Sequence, residues 1–307
     1  MAYLYNVEGK ISAKIVIGVL IGIIAASSVG YFSISNYIQK KRMKSIYDYI
    51  MTKDYDNASF IFMDMHNKKP FDKKILTAGI DLYYDILLNS KNEKVAVSSC
   101  ENIIKYALQL LITSRFLNDK YLIYQRLAYG YQKLGNSYYI DSYNAYVQAL
   151  ENGDKRSSTA IELAKICHQI GLYKEAIIHL ENILQNQNSP NIELYYELAN
   201  AYEGNKDYTK AIHTLSYITD KFNGNNRVEY DTYFKLGDLY FRQGLYKESE
   251  FFYKKALDMD DKNPNLYYSI GVLYRQNKRR AEAISMFREA LKIDNTHKLS
   301  KDALRRL

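Results

Sequence analysis

The chain has 307 residues, of which 47% are hydrophobic and 25% charged, and its 42 basic residues exceed its 34 acidic residues to give a net charge of +8. This composition is that of a globular protein, and three prolines and 14 glycines are too few for a collagen or a turn-rich β fold. Two cysteines cannot form the disulfide framework of a small secreted protein. Tryptophan is absent, whereas 32 tyrosines indicate a systematic role for that residue.

The first element in the chain is an uncharged stretch from Ile15 to Gln39. Because a helix of about 20 apolar residues crosses the hydrocarbon layer of a bilayer, we predict a transmembrane helix at 15–38, after an N-terminal tail at 1–14. A cleaved signal peptide is the alternative. The apolar run continues to Phe32 without a charge or a strong turn signal, which favours an uncleaved single-pass anchor. No cysteine lies near it, which excludes a lipoprotein.

Two further features of this segment concern its partners. Four basic residues follow the span: Lys40, Lys41, Arg42 and Lys44. Basic flanks stay in the cytoplasm, so they favour a cytoplasmic domain at a cell inner membrane, with a periplasmic domain as the alternative, and they could bind anionic lipid. Small residues recur at every fourth position of the span: Gly18, Gly22, Ala26 and Gly30. This spacing lets helices approach closely, so the span could form a homodimer.

The remaining chain repeats a helical motif. The clearest copies, 34 residues apart, are Tyr233-x-x-Leu236-Gly237-x-x-Tyr240 and Tyr267-x-x-Ile270-Gly271-x-x-Tyr274. Residues three to four apart share one face of a helix, and a Gly-x-Tyr turn such as Gly171-Leu172-Tyr173 ends the first helix of a pair. One helical hairpin cannot bury its apolar face alone, so neighbouring hairpins must stack into a continuous core.

This pattern resembles the tetratricopeptide repeat, a 34-residue helix-turn-helix unit. The resemblance implies an all-α fold in which the transmembrane helix precedes a right-handed superhelix, an α-solenoid of about seven helical hairpins. We place degenerate hairpins at 39–120 and a capping helix at 298–307. Between them the register predicts five repeats, at 121–156, 157–191, 192–229, 230–263 and 264–297.

No residue pattern indicates catalysis. The five histidines have no carboxylate or cysteine partners at metal-ligand spacing, and phosphate-binding loops and nucleophile elbows are absent from the sequence. Cys167 replaces a framework tyrosine, so we interpret it as a core residue. We therefore expect no enzyme activity, no cofactor and no metal. The basic patches match no nucleic-acid-binding motif, so we expect no nucleic acid partner.

In the repeat family, six positions of the first helix face a concave groove. At the fifth position of the repeat, three successive repeats carry an aromatic residue: Tyr196, Phe234 and Tyr268. The other groove positions supply polar candidates: Glu193, Glu197, Asn200, Asp231, Lys235, Asp238, Arg242 and Arg275. We expect an exposed row of rings that gives contact area to a peptide, with Asn200 and Lys235 bonded to its backbone or carboxylate. The carboxylate clamp of chaperone adaptors is not matched at these positions.

These features predict a membrane-anchored scaffold that binds a peptide or protein partner in its groove and assembles or regulates a complex at the membrane. The architecture is similar to that of bacterial single-pass repeat proteins of envelope biogenesis, quality control and secretion. The alternative is a structural component of a periplasmic or envelope assembly that has no peptide-capture groove. Under the first hypothesis, the three groove rings contribute to binding and little to folding.

Overall fold

The structure is a computed structural model, and it describes residues 33–113, 119–186, 191–221 and 226–306. Regular structure within these ranges is helical throughout, which confirms the all-α prediction. The segment predicted to span a membrane lies outside the described residues up to residue 32, and so does the row of small residues within it. Contacts divide the chain into two compact units, residues 1–118 and residues 119–307.

The first unit contains two helical hairpins in its described part. Its helices are α1 (33–51), α2 (Tyr55–Lys68), α3 (Lys73–Asn89) and α4 (Glu93–Thr113). Asp54 and Asp72 cap α2 and α3 through their carboxylates. The core of the unit contains Phe62, which is fully buried beside Tyr106 at a ring-centroid distance of 5.1 Å.

Among the described residues, only α4 is long and apolar enough to cross a membrane, with a mean hydropathy of 1.2 over an 18-residue window. This helix packs on α3. Its inward face buries Cys100, Ile103, Tyr106 and Leu110. One face of α4 therefore packs in the core of the first unit.

The second unit contains five helical hairpins and a final helix. The hairpins are α5 (Lys120–Leu134) with α6 (Tyr139–Glu151), α7 (Ser157–Ile170) with α8 (Tyr173–Gln185), α9 (Ile192–Gly204) with α10 (Tyr208–Lys221), α11 (Asn226–Arg242) with α12 (Tyr246–Met259), and α13 (Pro264–Gln276) with α14 (Arg280–Ile293). Each second helix contacts the first helix of the next hairpin, and α15 (Lys298–Arg305) packs on α14. The described hairpins therefore stack in chain order.

Each of the last two hairpins is held by a ring that lies on a glycine. Tyr253 of α12 packs on Gly237 of α11, and Phe287 of α14 packs on Gly271 of α13. Both rings are buried, at 2% and 0% exposure. A side chain at either glycine would push the paired helices apart, which explains why the sequence has the smallest residue there.

The turn within a hairpin uses a left-handed backbone conformation. Gly171 and Gly244 have φ angles of 77° and 75°, as expected from the Gly-x-Tyr pattern. Lys206 and Lys278 have φ angles of 64° and 60° at the equivalent turns. In the first unit, Lys53 adopts the same conformation between α1 and α2, at 60°. The residue after each turn residue donates its N–H to a carbonyl five residues back, which closes the end of the first helix.

Candidate functional site

The candidate site lies on the first helices of the last three hairpins. Tyr196 is on α9, Phe234 on α11 and Tyr268 on α13, and each side chain is half-buried. The ring of Phe234 lies 5.9 Å from that of Tyr253, and the ring of Tyr268 lies 5.7 Å from that of Phe287. The expectation of an exposed aromatic row is therefore wrong. Phe234 and Tyr268 contact the rings that close their own hairpins, so they also support the fold.

Tyr196 lies near charged groups of α9 and α11. Burial, which is the largest cause, and the nearby carboxylates of Asp231, Glu197, Glu203 and Asp238 together raise the pKa of its hydroxyl to about 12. The Nζ atom of Lys235 lies 5.8 Å from the centroid of its ring. Carboxylates from two neighbouring repeats therefore surround one aromatic residue, with a lysine above its ring.

An ion-pair cluster joins α9 to α11. Glu203 of α9 lies 2.6 Å from Nζ of Lys235 and 3.4 Å from Nη1 of Arg242, both on α11. The side chains of Glu203 and Lys235 are only 17% and 21% exposed. Lys235, which the sequence offered to a peptide carboxylate, and the groove candidate Arg242 are thus already paired with a neighbouring repeat. A carboxylate ligand would have to compete with Glu203 for them.

Asp238 also has an internal partner. The hydroxyl of Tyr253 donates a hydrogen bond of 2.5 Å to its Oδ1 atom. Burial raises the pKa of Asp238, although this hydrogen bond opposes the shift. Burial and the nearby carboxylate raise the pKa of Tyr253 as well. Asp238 therefore ties α11 to α12 and contributes negative charge below the surface of the site.

The remaining polar candidates have different surroundings. Nδ2 of Asn200 donates to Glu197 at 3.3 Å, and Arg275 is exposed on α13. The polar contacts continue towards the N-terminal side, where Lys165 of α7 lies 3.4 Å from Glu193 of α9. Polar side chains thus line consecutive first helices from α7 to α11.

Glu203 was not among the predicted site residues, although its carboxylate holds both Lys235 and Arg242. A signal was present, because Glu203 occupies one of the groove positions in its repeat, as Lys235 and Arg242 do in the next. His297 was not among the predicted site residues either, and its Nε2 atom lies 3.1 Å from Oδ1 of Asn265. That contact joins the start of α13 to the residue before α15.

The family model described as the tetratricopeptide repeat matches residues 192–216, 230–263 and 264–297. The chain therefore contains tetratricopeptide repeats. The three matched ranges hold Tyr196, Phe234 and Tyr268 on successive first helices. No curated protein matches the chain.

Solved structures of tetratricopeptide-repeat proteins resemble this chain. The C-terminal part of a repeat-containing protein from Cytophaga hutchinsonii has a TM-score of 0.65 and 17% identity, covering 85% of this chain and 99% of that one. A protein from Parabacteroides merdae has a TM-score of 0.54 and 16% identity, covering 87% and 97%. MamA has a TM-score of 0.51 and 24% identity, covering 58% and 94%. At these identities the likeness establishes the fold alone.

Proposed function

We propose that this chain is a membrane-anchored scaffold that binds a protein partner along the first helices α9, α11 and α13. The observation that carries the proposal is the position of Tyr196, a half-buried ring among four carboxylates at the junction of two repeats. Aromatic residues with one accessible side contribute strongly to interfaces, because they bury a large apolar area at a small cost in conformational entropy.

The charges of this surface favour a partner segment that carries lysine or arginine. Helices α9 and α11 bring together five carboxylates, those of Glu193, Glu197, Glu203, Asp231 and Asp238. Lys235 and Arg242 are both held by Glu203, and Lys165 of α7 lies 3.4 Å from Glu193. A basic segment would gain attraction from the remaining carboxylates, whereas a peptide carboxylate would meet like charge. The proposed partner is therefore a basic peptide segment with apolar side chains.

A photo-crosslinking amino acid tests which surface of the array binds the partner. In the full-length chain, one variant carries it at Glu193, which is exposed on α9, and the control carries it at Phe251, which is 54% exposed on the second helix α12. We expect a crosslinked product in cells from position 193 and none from position 251. A product from position 251 alone would favour the structural component instead.

Charge variants show whether such a product depends on the acidic surface. Replacing Glu197 by Gln together with Asp231 by Asn should abolish the crosslink from position 193. The matched control replaces Glu248 by Gln and Asp258 by Asn, two exposed residues of α12, and should leave it unchanged. If the first pair has no effect, the preference for a basic segment is refuted.

The membrane anchor and its orientation are part of the same proposal. They are supported by the uncharged stretch from Ile15 to Gln39 and by the basic flank that follows it. A reporter fused after Leu307 should behave as a cytoplasmic protein, and the repeats should be protected from protease added to spheroplasts. Digestion from outside would instead favour the periplasmic location.

A further inference from the structure

One end of the first unit is built from the start of α1 and the turn between α2 and α3. Gln39 of α1 joins them, because its Nε2 atom donates to Asp72 at 3.2 Å and its Oε1 atom accepts from Lys69 at 2.7 Å. Gln109 of α4 donates to the carbonyl of Pro70 at 2.9 Å. These bonds hold the α2–α3 turn in a fixed position beside α1.

A lysine-lined cavity of about 950 Å³ lies at this end. The charged residues of its lining are Lys40, Lys69, Lys73, Lys74 and Asp72. The single carboxylate caps α3, since its Oδ1 atom accepts from the backbone N–H groups of residues 74 and 75, at 2.9 and 3.2 Å. The lining therefore has a formal excess of three positive charges, and the fold adds lysines from α3 and its preceding turn to the basic flank that the sequence alone showed.

Exposed apolar side chains surround the same end. They are Ile34 at 62%, Tyr37 at 67%, Ile38 at 50% and Phe71 at 66% exposure. Phe71 is in the α2–α3 turn, between Lys69 and Lys73. Lysines interleaved with exposed aromatic and aliphatic side chains are typical of surfaces that lie in the interfacial region of a bilayer. Ile34, Tyr37 and Ile38 lie in the last part of the uncharged stretch that is predicted to enter a membrane.

We propose that this end of the first unit contacts the surface of a membrane containing acidic phospholipid. Phe71 enters the interfacial region, and the lysine-lined cavity takes the phosphate of a lipid headgroup. Two observations point to this occupant, because the charge complements an anionic headgroup and the exposed apolar rim complements the region below it. A soluble phosphate ion would use the lysines but would leave the exposed rim without a partner.

The absence of tryptophan from the chain provides a direct test. Phe71→Trp places a single tryptophan in the turn, and the control Met51→Trp places one at an 81% exposed position at the other end of α1. The control residue lies far from this end of the unit, because the first and last residues of α1, 33 and 51, are about 27 Å apart along the helix axis. The full-length variants are reconstituted in vesicles of phosphatidylcholine with phosphatidylglycerol, and in phosphatidylcholine alone.

In the acidic vesicles we expect blue-shifted emission from the Phe71→Trp variant, and quenching of that emission by brominated lipid. Both effects should weaken in phosphatidylcholine alone and should be absent for the Met51→Trp variant. Replacing Lys69 and Lys74 by Gln should remove the dependence on phosphatidylglycerol. The matched control replaces Lys91, in the turn after α3, and Lys94, at the start of α4, by Gln. It should leave the dependence on phosphatidylglycerol unchanged.

Two outcomes would overturn the proposal. If the emission of the Phe71→Trp variant behaves like that of the Met51→Trp variant, this end does not contact the membrane. If inorganic phosphate raises the melting temperature of the protein as much as phosphatidylglycerol does, and quenching by lipid does not depend on the two lysines, the cavity is a site for a free anion. Circular dichroism of each variant verifies that the helices are intact, so a loss of quenching reports on the surface itself.

Discussion

Adding one methyl group at Gly237 tests how the paired helices of a repeat are held together. A Cβ atom at this position would lie 2.9 Å from Cγ of Tyr253 and closer still to two other ring atoms. The ring cannot turn away freely, because it is 2% exposed and its hydroxyl donates to Asp238 at 2.5 Å. Overpacking costs about 1–3 kcal/mol, and losing a hydrogen bond to a charged group costs about 1.5–3 kcal/mol.

The opposing effect is small. Alanine has a better helix propensity than glycine by about 1 kcal/mol. We therefore expect Gly237→Ala to lower the free energy of unfolding by about 2–4 kcal/mol, measured by urea unfolding followed by circular dichroism. A loss below about 0.5 kcal/mol would refute the argument, because the ring would then have moved at almost no cost.

Gly271→Ala is the matched comparison. A Cβ atom at Gly271 would lie 2.6 Å from Cε1 of Phe287, so the steric conflict is similar. Phe287 has no hydroxyl, and its displacement breaks no hydrogen bond. The expected loss is therefore smaller, about 0–2 kcal/mol after the propensity gain. Equal losses at the two glycines would show that the bond to Asp238 does not restrain Tyr253.

Four other variants test separate parts of the structure. Tyr253→Phe removes the hydrogen bond to Asp238 and leaves its carboxylate charge unpaired, so it should destabilise the protein at pH 7. The destabilisation should be smaller at pH 5, because burial raises the pKa of Asp238 and protonation removes the unpaired charge. Urea unfolding at both pH values measures the difference. The imidazole of His66 is buried with an unpartnered Nδ1, and burial lowers its pKa. The unfolded chain therefore binds more protons than the folded chain, so the stability should fall as the pH drops below about 6.5. His66→Phe should abolish this loss of stability, as measured in thermal melts. Lys278→Gly should raise the free energy of unfolding by about 1 kcal/mol, because glycine adopts the left-handed conformation without strain. Phe234→Ala should lower the free energy of unfolding by about 1–3 kcal/mol, since the ring of Phe234 packs on that of Tyr253. Unchanged stability would show that Phe234 contributes to binding and not to folding.

The helical framework was predictable because it depends on contacts that are local in sequence. Leu236 and Ile270, chosen from the spacing of apolar residues, are 0% and 2% exposed. Gly171 was identified as a turn residue because glycine favours a positive φ. Lys206 and Lys278 occupy the same kind of turn and were not identified. A lysine side chain gives no sign of a left-handed backbone, so only the repeat register could have revealed them.

The candidate site was less predictable because its contacts cross between helices. The family positions identified Lys235 and Asp238 as surface groups, but not the partners that occupy them. Lys235 meets Glu203, and Asp238 meets Tyr253, only after the helices have stacked. The same stacking half-buries Phe234 against a neighbouring ring. Sequence position can indicate which side of a helix a residue is on, but it does not indicate whether a charge is already neutralised.

The net charge of +8 hides an uneven distribution, and this unevenness separates the two proposed binding surfaces. In the second unit, carboxylates surround Tyr196 and favour a basic partner. In the first unit, lysines surround a cavity and favour an anionic headgroup. Salt screens attraction at both surfaces, so ionic strength alone cannot tell them apart. Substitutions can, because neutralising Glu197 and Asp231 should weaken only partner capture, whereas neutralising Lys69 and Lys74 should weaken only the contact with acidic lipid.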